Sequence, residues 1–216
     1  MAIKENDFVE LDYEGYLEDG SLFDTTKAEV AKKHDAFEEK GHYHATIICV
    51  GQNHVVPGLD DALVGKEPGH FELTIPPEHA FGKKNAKLLK LLPLKIFKDQ
   101  EIQPFPGLEV DVDGERGIIK TVSGGRTIVD FNHPLSSHSL TYKVDVKRIV
   151  VDKKEQVEAV LHIIGIPYKN VEVTEKKATI TTGKLPEELQ KGLMEEISKL
   201  TNLDTIEFAV MEKQNA

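Results

Sequence analysis

Residues 51–69 read GQNHVVPGLDDALVGKEPG, and this stretch decides how the first half of the chain folds. Its apolar residues recur at the spacing of one short helix, and Gly65 supplies the residue that ends it. These apolar positions are Val55, Val56, Leu59, Leu63 and Val64. The flanking stretches HATIICVG (44–51) and FELTIPP (71–77) are typical of strands. The pattern therefore predicts a single short helix that crosses a sheet.

The chain before and after this stretch supplies more strands. Residues 8–26, FVELDYEGYLEDGSLFDTT, alternate apolar and polar residues on both sides of Asp19-Gly20, which predicts a hairpin. A short surface helix is expected in residues 26–40, where the apolar stripe is weak. The stretch LTYKVDVKRIVV (140–151) alternates again and predicts a strand with one buried face, formed by Leu140, Tyr142, Val144 and Val146.

Two segments differ in character from this sheet. Residues 83–131 contain short strands joined by turns at Asp113-Gly114 and Ser123-Gly124-Gly125, which indicates an inserted small β domain. The run KKNAKLLKLLPLK (83–95) could be an amphipathic contact with membrane or nucleic acid, but Pro93 and its short length favour a solvated strand and turn. Residues 152–216 show the order α-β-β-α-β.

The predicted fold class is therefore α+β, with an antiparallel sheet wrapped on a short helix. We expect three domains: one from residues 1–82 and 132–151, the insert at 83–131, and a C-terminal α/β domain at 152–216.

Composition excludes several functional classes. The net charge of −10 disfavours binding to nucleic-acid phosphates, and no stretch is apolar enough to span a bilayer. The single cysteine, Cys49, excludes an internal disulfide and a cysteine-built zinc site. We expect a cytoplasmic protein with neither a nucleic-acid nor a membrane partner.

Three separated motifs resemble those of one family. Residues 12–24 (DYEGYLEDGSLFD), 55–69 (VVPGLDDALVGKEPG) and 74–82 (TIPPEHAFG) are similar, in this order and spacing, to FKBP-type peptidyl-prolyl cis-trans isomerases. The insert, which leads to NHPLSSHSL (132–140), resembles the insert-in-flap domain of SlyD-like members. With the C-terminal extension, the chain looks like the long archaeal type.

The resemblance implies a set of pocket residues: Tyr13, Phe23, Asp24, Val55, Val56, Leu59, Phe81 and Tyr142. Leu59 stands where many relatives have a tryptophan, and Phe81 where they have a tyrosine. A leucine keeps an apolar floor, whereas the missing hydroxyl affects binding of macrocyclic inhibitors more than catalysis. Taken singly, Asp24 is typical of a turn or helix cap, and the aromatic residues are typical of a core.

Such a pocket suits the reaction that the resemblance implies, which is cis-trans isomerisation of X-Pro bonds in unfolded or partly folded proteins. The planar amide is more polar than the twisted one, so an apolar pocket disfavours the ground state. The resemblance implies that the Val56 N–H donates a hydrogen bond to the substrate carbonyl. No cofactor or metal is needed. His42 with His44, or His133 with His138, could ligate a metal because imidazole is a common ligand. We expect no metal site, because the SlyD-like relatives that bind nickel do so mainly through a histidine-rich tail, whereas this sequence ends MEKQNA.

Two other functions remain open at this point. The chain could be a chaperone without catalysis that shields unfolded polypeptides through the insert. It could also be an assembly scaffold, with the C-terminal domain forming a homodimer through a sheet edge or helix face.

Overall fold

The computed structural model describes residues 1–210, which divide into two compact units. The first unit joins residues 1–75 to the chain from residue 140 onward, and the second comprises residues 76–139. No helix within residues 1–210 is both long and apolar enough to cross a membrane.

Residues 1–210 contain more strands than helices. The strands are β1 (Phe8–Tyr16), β2 (Leu22–Thr25), β3 (Thr46–Cys49), β4 (Gly69–Ile75), β5 (Leu89–Pro93), β6 (Glu109–Val112), β7 (Glu115–Ser123), β8 (Arg126–Asp130), β9 (Leu140–Val150), β10 (Tyr168–Thr174), β11 (Lys177–Thr182) and β12 (Thr205–Val210). The helices are α1 (Ala28–Lys33), α2 (Pro57–Leu63), α3 (Leu94–Asp99), α4 (Lys153–Ile164) and α5 (Glu187–Thr201), with 3-10 turns at Pro77–His79 and Ala86–Leu88.

The first unit contains a five-stranded antiparallel sheet. Its order is β2-β1-β9-β4, and β3 also pairs with β1. The predicted buried face of β9 is confirmed, since Leu140, Tyr142, Val144 and Val146 are each no more than 5% exposed. The predicted short helix is α2, which contacts β4. The mixed α and β architecture with antiparallel sheets confirms the coarse fold class.

The C-terminal residues pack on the same core as this sheet. β10 and β11 pair antiparallel, and β11 and β12 pair parallel because α5 carries the chain between them. Phe8, Cys49 and Val150 are cross-strand neighbours in the first sheet, and they share one hydrophobic cluster with buried residues of α4 and α5. The sequence predicted a domain boundary at residue 152, whereas the contacts place this part in the first unit because its helices cover that apolar end of the sheet.

The second unit is a small β structure with one short helix. Its antiparallel sheet has the order β5-β8-β7-β6, and its core consists of Phe97, Val110, Ile119 and Val129. The lysine-rich run forms β5, paired with β8, and then turns into α3, which the sequence did not predict.

The second unit extends beyond the predicted limits of 83 and 131 because its two connecting segments bind each other. Ser137 N–H donates to Gly82 O at 2.8 Å, and Asn85 N–H donates to Asn132 Oδ1 at 2.7 Å. These hydrogen bonds join residues 82–85 to residues 132–137 as one neck.

Candidate active site

Four of the predicted site residues lie together on three neighbouring strands. Tyr13 is on β1, Phe23 and Asp24 are on β2, and Tyr142 is on β9. The Tyr13 hydroxyl donates to Asp24 Oδ2 at 2.6 Å. The Tyr142 ring packs edge-on against Tyr13 and against Phe23, with centroid distances of 5.9 and 5.6 Å. The strands thus form an aromatic wall with one carboxylate at its exposed edge.

The residues that follow Asp24 hold Tyr13 in place. Thr26 Oγ1 accepts from Tyr13 N–H at 3.0 Å, and Thr25 Oγ1 donates to Tyr13 O at 2.9 Å. Thr26 Oγ1 also donates to Asp12 Oδ1 at 2.8 Å. Both threonines are only 7% exposed, so these bonds are shielded from water. The position of Asp24 beside Tyr13 therefore depends on these buried hydrogen bonds as well as on the exposed Tyr13–Asp24 pair.

Electrostatics keep both phenols of this site protonated. Burial, together with the hydrogen bond to Asp24 and its negative charge, raises the pKa of Tyr13 far above its ordinary value. Burial, with a smaller contribution from Asp24, also raises the pKa of Tyr142. Both hydroxyls therefore remain hydrogen-bond donors across the physiological pH range.

Gly15 was missed by the sequence reasoning, although it lies at the centre of this group. Its register partners are Asp24 on β2 and Tyr142 on β9. A Cβ at this position would lie 2.5 Å from Cζ of Phe23, so the Phe23 ring lies directly over the glycine. A glycine inside a strand often marks such a close approach, and that signal was present in the sequence.

Three other predicted residues lie at the beginning of α2. Leu59 is fully buried, while Val55 and Val56 are half-buried. Val56 precedes Pro57 at the first helical position, and its carbonyl accepts from Leu59 and Asp60 N–H. No acceptor within residues 1–210 is bonded to the Val56 N–H, as is usual for donors at a helix start.

Asp60 and His54 shape the loop that leads to these valines, and neither was singled out from the sequence. Asp60 is 3% exposed and accepts from Gly51 and Asn53 N–H, both at 2.8 Å. His54 Nδ1 accepts from Cys49 N–H at 3.1 Å. The sequence could not have indicated Asp60, because Asp61 beside it is equally polar but exposed.

Phe81 belongs to the second unit. Its ring stacks on His133 with a centroid distance of 4.3 Å and nearly parallel planes. Its carbonyl accepts from Ser136 Oγ at 3.2 Å. Phe81 is thus held by the same neck that joins the connecting segments of that unit.

Comparison with known proteins agrees with these features. A family model described as FKBP-type peptidyl-prolyl cis-trans isomerase matches residues 1–95. A short-type peptidyl-prolyl cis-trans isomerase of Methanocaldococcus jannaschii is 31% identical over 149 residues, which cover 68% of this chain and 94% of that protein. The chain belongs to the FKBP-type peptidyl-prolyl cis-trans isomerases.

Two SlyD isomerases match a similar share of the chain. The SlyD isomerase of Vibrio cholerae is 29% identical over 163 residues, which cover 73% of each chain. That of Pasteurella multocida is 28% identical over 167 residues, which cover 75% of each. A second family model, described as FKBP26, IF domain, matches residues 90–135. As an FKBP isomerase, this chain catalyses cis-trans isomerisation of peptidyl-prolyl bonds, and its substrates are proline-containing polypeptides.

Proposed function

We propose that the eight residues that the family motifs indicate serve in the isomerisation. These are Tyr13, Phe23, Asp24, Val55, Val56, Leu59, Phe81 and Tyr142. The contacts among Tyr13, Phe23, Asp24 and Tyr142 carry this proposal. Tyr142 packs on both other rings, and the Tyr13 hydroxyl donates to the exposed Asp24 carboxylate, a polar pair that core packing alone does not require.

In this mechanism the pocket acts by removing water rather than by covalent chemistry. Rotation about a peptide bond has a barrier of about 18–20 kcal/mol, and the twisted amide is less polar than the planar one. In the first unit, the rings of Tyr13, Phe23 and Tyr142 and the Leu59 side chain provide apolar surface for the proline ring, which disfavours the polar ground state. Each ~1.4 kcal/mol of differential stabilisation gives a tenfold gain in rate.

Two polar groups orient the substrate in this proposal. The Val56 N–H has no acceptor within residues 1–210, and we propose that it donates to a backbone carbonyl of the bound substrate. Asp24 accepts from Tyr13, and this pair forms the polar rim of the pocket. The rim holds the carbonyl of the rotating bond away from bulk water, so that it rotates against fixed dipoles.

A protease-coupled assay on proline tetrapeptides tests this assignment. The wild-type chain is expected to accelerate isomerisation, and Tyr13→Phe is expected to slow it by loss of the hydroxyl that binds Asp24. A matched control is Tyr168→Phe, since Tyr168 lies on β10 at the edge of the C-terminal sheet. Equal rates for Tyr13→Phe and wild type would remove the Tyr13–Asp24 pair from the mechanism.

The second unit is proposed to bind unfolded clients and so to act as a chaperone domain. It exposes three large apolar side chains: Leu89 (44%), Leu91 (54%) and Phe105 (56%). Leu89 and Leu91 alternate on β5, so they share one face, and β5 is an edge strand. An apolar edge strand is suited to binding an extended polypeptide. Because both units belong to one chain, repeated encounters of a bound client with the catalytic residues would be intramolecular.

Separate assays distinguish client binding from catalysis. Replacing residues 84–130 by a short loop is expected to preserve most tetrapeptide activity but to reduce proline-limited refolding of a whole protein and to abolish suppression of aggregation. The point variant Leu91→Ser is expected to weaken refolding in the same direction, with Val64→Ser as control because Val64 is 48% exposed in the first unit. Equal losses of tetrapeptide activity and of refolding activity would mean that the insert is part of the catalytic site rather than a separate client-binding domain.

A homodimer through the C-terminal part is the remaining partner proposal. β10 and β12 are the edges of the C-terminal sheet, and Val210 on β12 is 62% exposed. Deleting residues 152–216 would uncover Phe8, Cys49 and Val150, so point variants are the better test. Val210→Lys is expected to convert a dimer to monomer in light scattering. A monomeric wild-type chain would refute this proposal.

A cytoplasmic location, without nucleic-acid or membrane partners, stays a prediction.

A further inference from the structure

Three histidines from distant parts of the chain form a triangle on the first unit. His42 and His44 precede β3, and His162 lies in the last turn of α4. Their ring centroids are 6.2 Å apart for His42–His44, 5.9 Å for His42–His162 and 5.8 Å for His44–His162. All three side chains are exposed. Within residues 1–210, none of the three imidazoles has a hydrogen-bond or ion-pair partner.

Tyr43, between the two histidines, has packing partners of its own. Its ring stacks on Phe37 at 5.1 Å and its hydroxyl accepts from Glu38 N–H at 2.9 Å. The His42 and His44 rings instead lie edge-on to each other at 6.2 Å, and each lies within 5.9 Å of the His162 ring.

The same core holds α4 beside this segment. β3 pairs with β1 from Thr46 onward, and Cys49 at its end lies in the hydrophobic cluster that also contains Val157 and Leu161 of α4. Leu161 is fully buried and directly precedes His162 in the helix. Packing thus holds α4 beside β3, and His44 lies two residues before that strand.

The triangle is slightly wider than a metal-bound set of three imidazoles. A Zn²⁺ ion about 2.0–2.1 Å from each ring nitrogen, in tetrahedral geometry, requires ring centres roughly 5.2 Å apart. As the side chains stand, no group of three or more His, Cys, Asp or Glu residues in the described chain has metal-binding geometry. Closing the triangle requires each pair to approach by at most about 1 Å, which rotation of exposed side chains supplies without disturbing the core.

We propose that His42, His44 and His162 form a binding site for a divalent transition-metal ion such as Zn²⁺, with water in the remaining position. Neutral imidazole is a common ligand for this class of ion, and ions of the calcium and magnesium class are disfavoured because they prefer oxygen ligands. The bound ion would join the segment before β3 to α4. It would therefore stabilise the first unit by binding the folded state alone.

Titration of the full, chelator-treated chain with Zn²⁺ tests this site by calorimetry, and Co²⁺ absorption reports the coordination geometry. One equivalent of metal is expected, with a higher Tm on addition of Zn²⁺. His162→Ala and His44→Ala are each expected to weaken binding at least about 10-fold, since even groups that only orient metal ligands contribute 10–100-fold. His79→Ala is the matched control, because His79 is an exposed histidine of the second unit.

Each outcome decides for or against the site. All three changed positions are exposed, so circular dichroism is expected to confirm folded variants. Loss of binding in His162→Ala and His44→Ala but not in His79→Ala supports the proposal. No stoichiometric binding by the wild-type chain, or binding that His162→Ala leaves unchanged, overturns it.

Discussion

The substitution Gly15→Ala tests the aromatic site with a single methyl group. The new Cβ would lie 2.5 Å from Cζ, 2.9 Å from Cε1 and 3.1 Å from Cε2 of Phe23. Ordinary contacts begin at 3.4 Å, so the Phe23 ring must move by about 1 Å. The backbone of Gly15 has no positive φ, so the variant tests ring displacement without backbone strain.

Gly15→Ala is expected to lower both the free energy of unfolding and the isomerase rate. Overpacking of this kind lowers the free energy of unfolding by about 1–3 kcal/mol. Phe23 packs on Tyr142 at 5.6 Å, so displacing one ring disturbs the wall that both form. A misplacement of about 1 Å in a catalytic site can cost up to about 100-fold in rate. We therefore expect isomerase activity to fall by about 10- to 100-fold, or ~1.4–2.7 kcal/mol.

The assay is kcat/KM on a proline tetrapeptide, measured on protein shown to be folded by its thermal transition. Gly117→Ala is the matched control, because its Cβ would lie 2.6 Å from Cγ1 of Val129 in the second unit. This control is expected to lose stability but to keep tetrapeptide activity. Wild-type activity in folded Gly15→Ala protein would refute the role of Phe23 as part of the pocket wall.

Three further predictions follow from the site and its surroundings. Asp24→Leu, or Tyr13→Ala, is expected to lower the isomerase rate by about 10- to 100-fold, and wild-type rates in folded Asp24→Leu protein would exclude that carboxylate. Chelator-treated protein is expected to accelerate X-Pro isomerisation without metal or nucleotide, and its inactivity would contradict the desolvation mechanism. Burial lowers the pKa of His54, so the unfolded chain takes up a proton more readily. The free energy of unfolding should therefore fall as pH drops below about 6.5, less so in His54→Gln, and equal pH dependence in both would exclude this cause.

Much of the fold could be predicted because local patterns and burial agree. The Asp19-Gly20 turn, the alternation in β9 and the proline that precedes Glu187 each mark an element that the structure contains. α3 was missed because LKIFKD follows Pro93 in an apolar run without a clear period. Its only fully buried residue is Phe97, so a six-residue segment carried too little pattern to separate helix from strand.

The sequence by itself determined the family and its motif residues, because the three motifs and the spacing between them can be recognised without coordinates. Only the tertiary structure decided which of these groups touch and which unmarked residues support them. Asp60 is buried and Asp61 exposed, and Phe23 covers Gly15, through packing that no local pattern records. His162 joins His42 and His44 for the same reason. Distant segments come together only when burial of apolar surface in a shared core offsets the conformational entropy lost on ordering them. That core forms only in the complete fold.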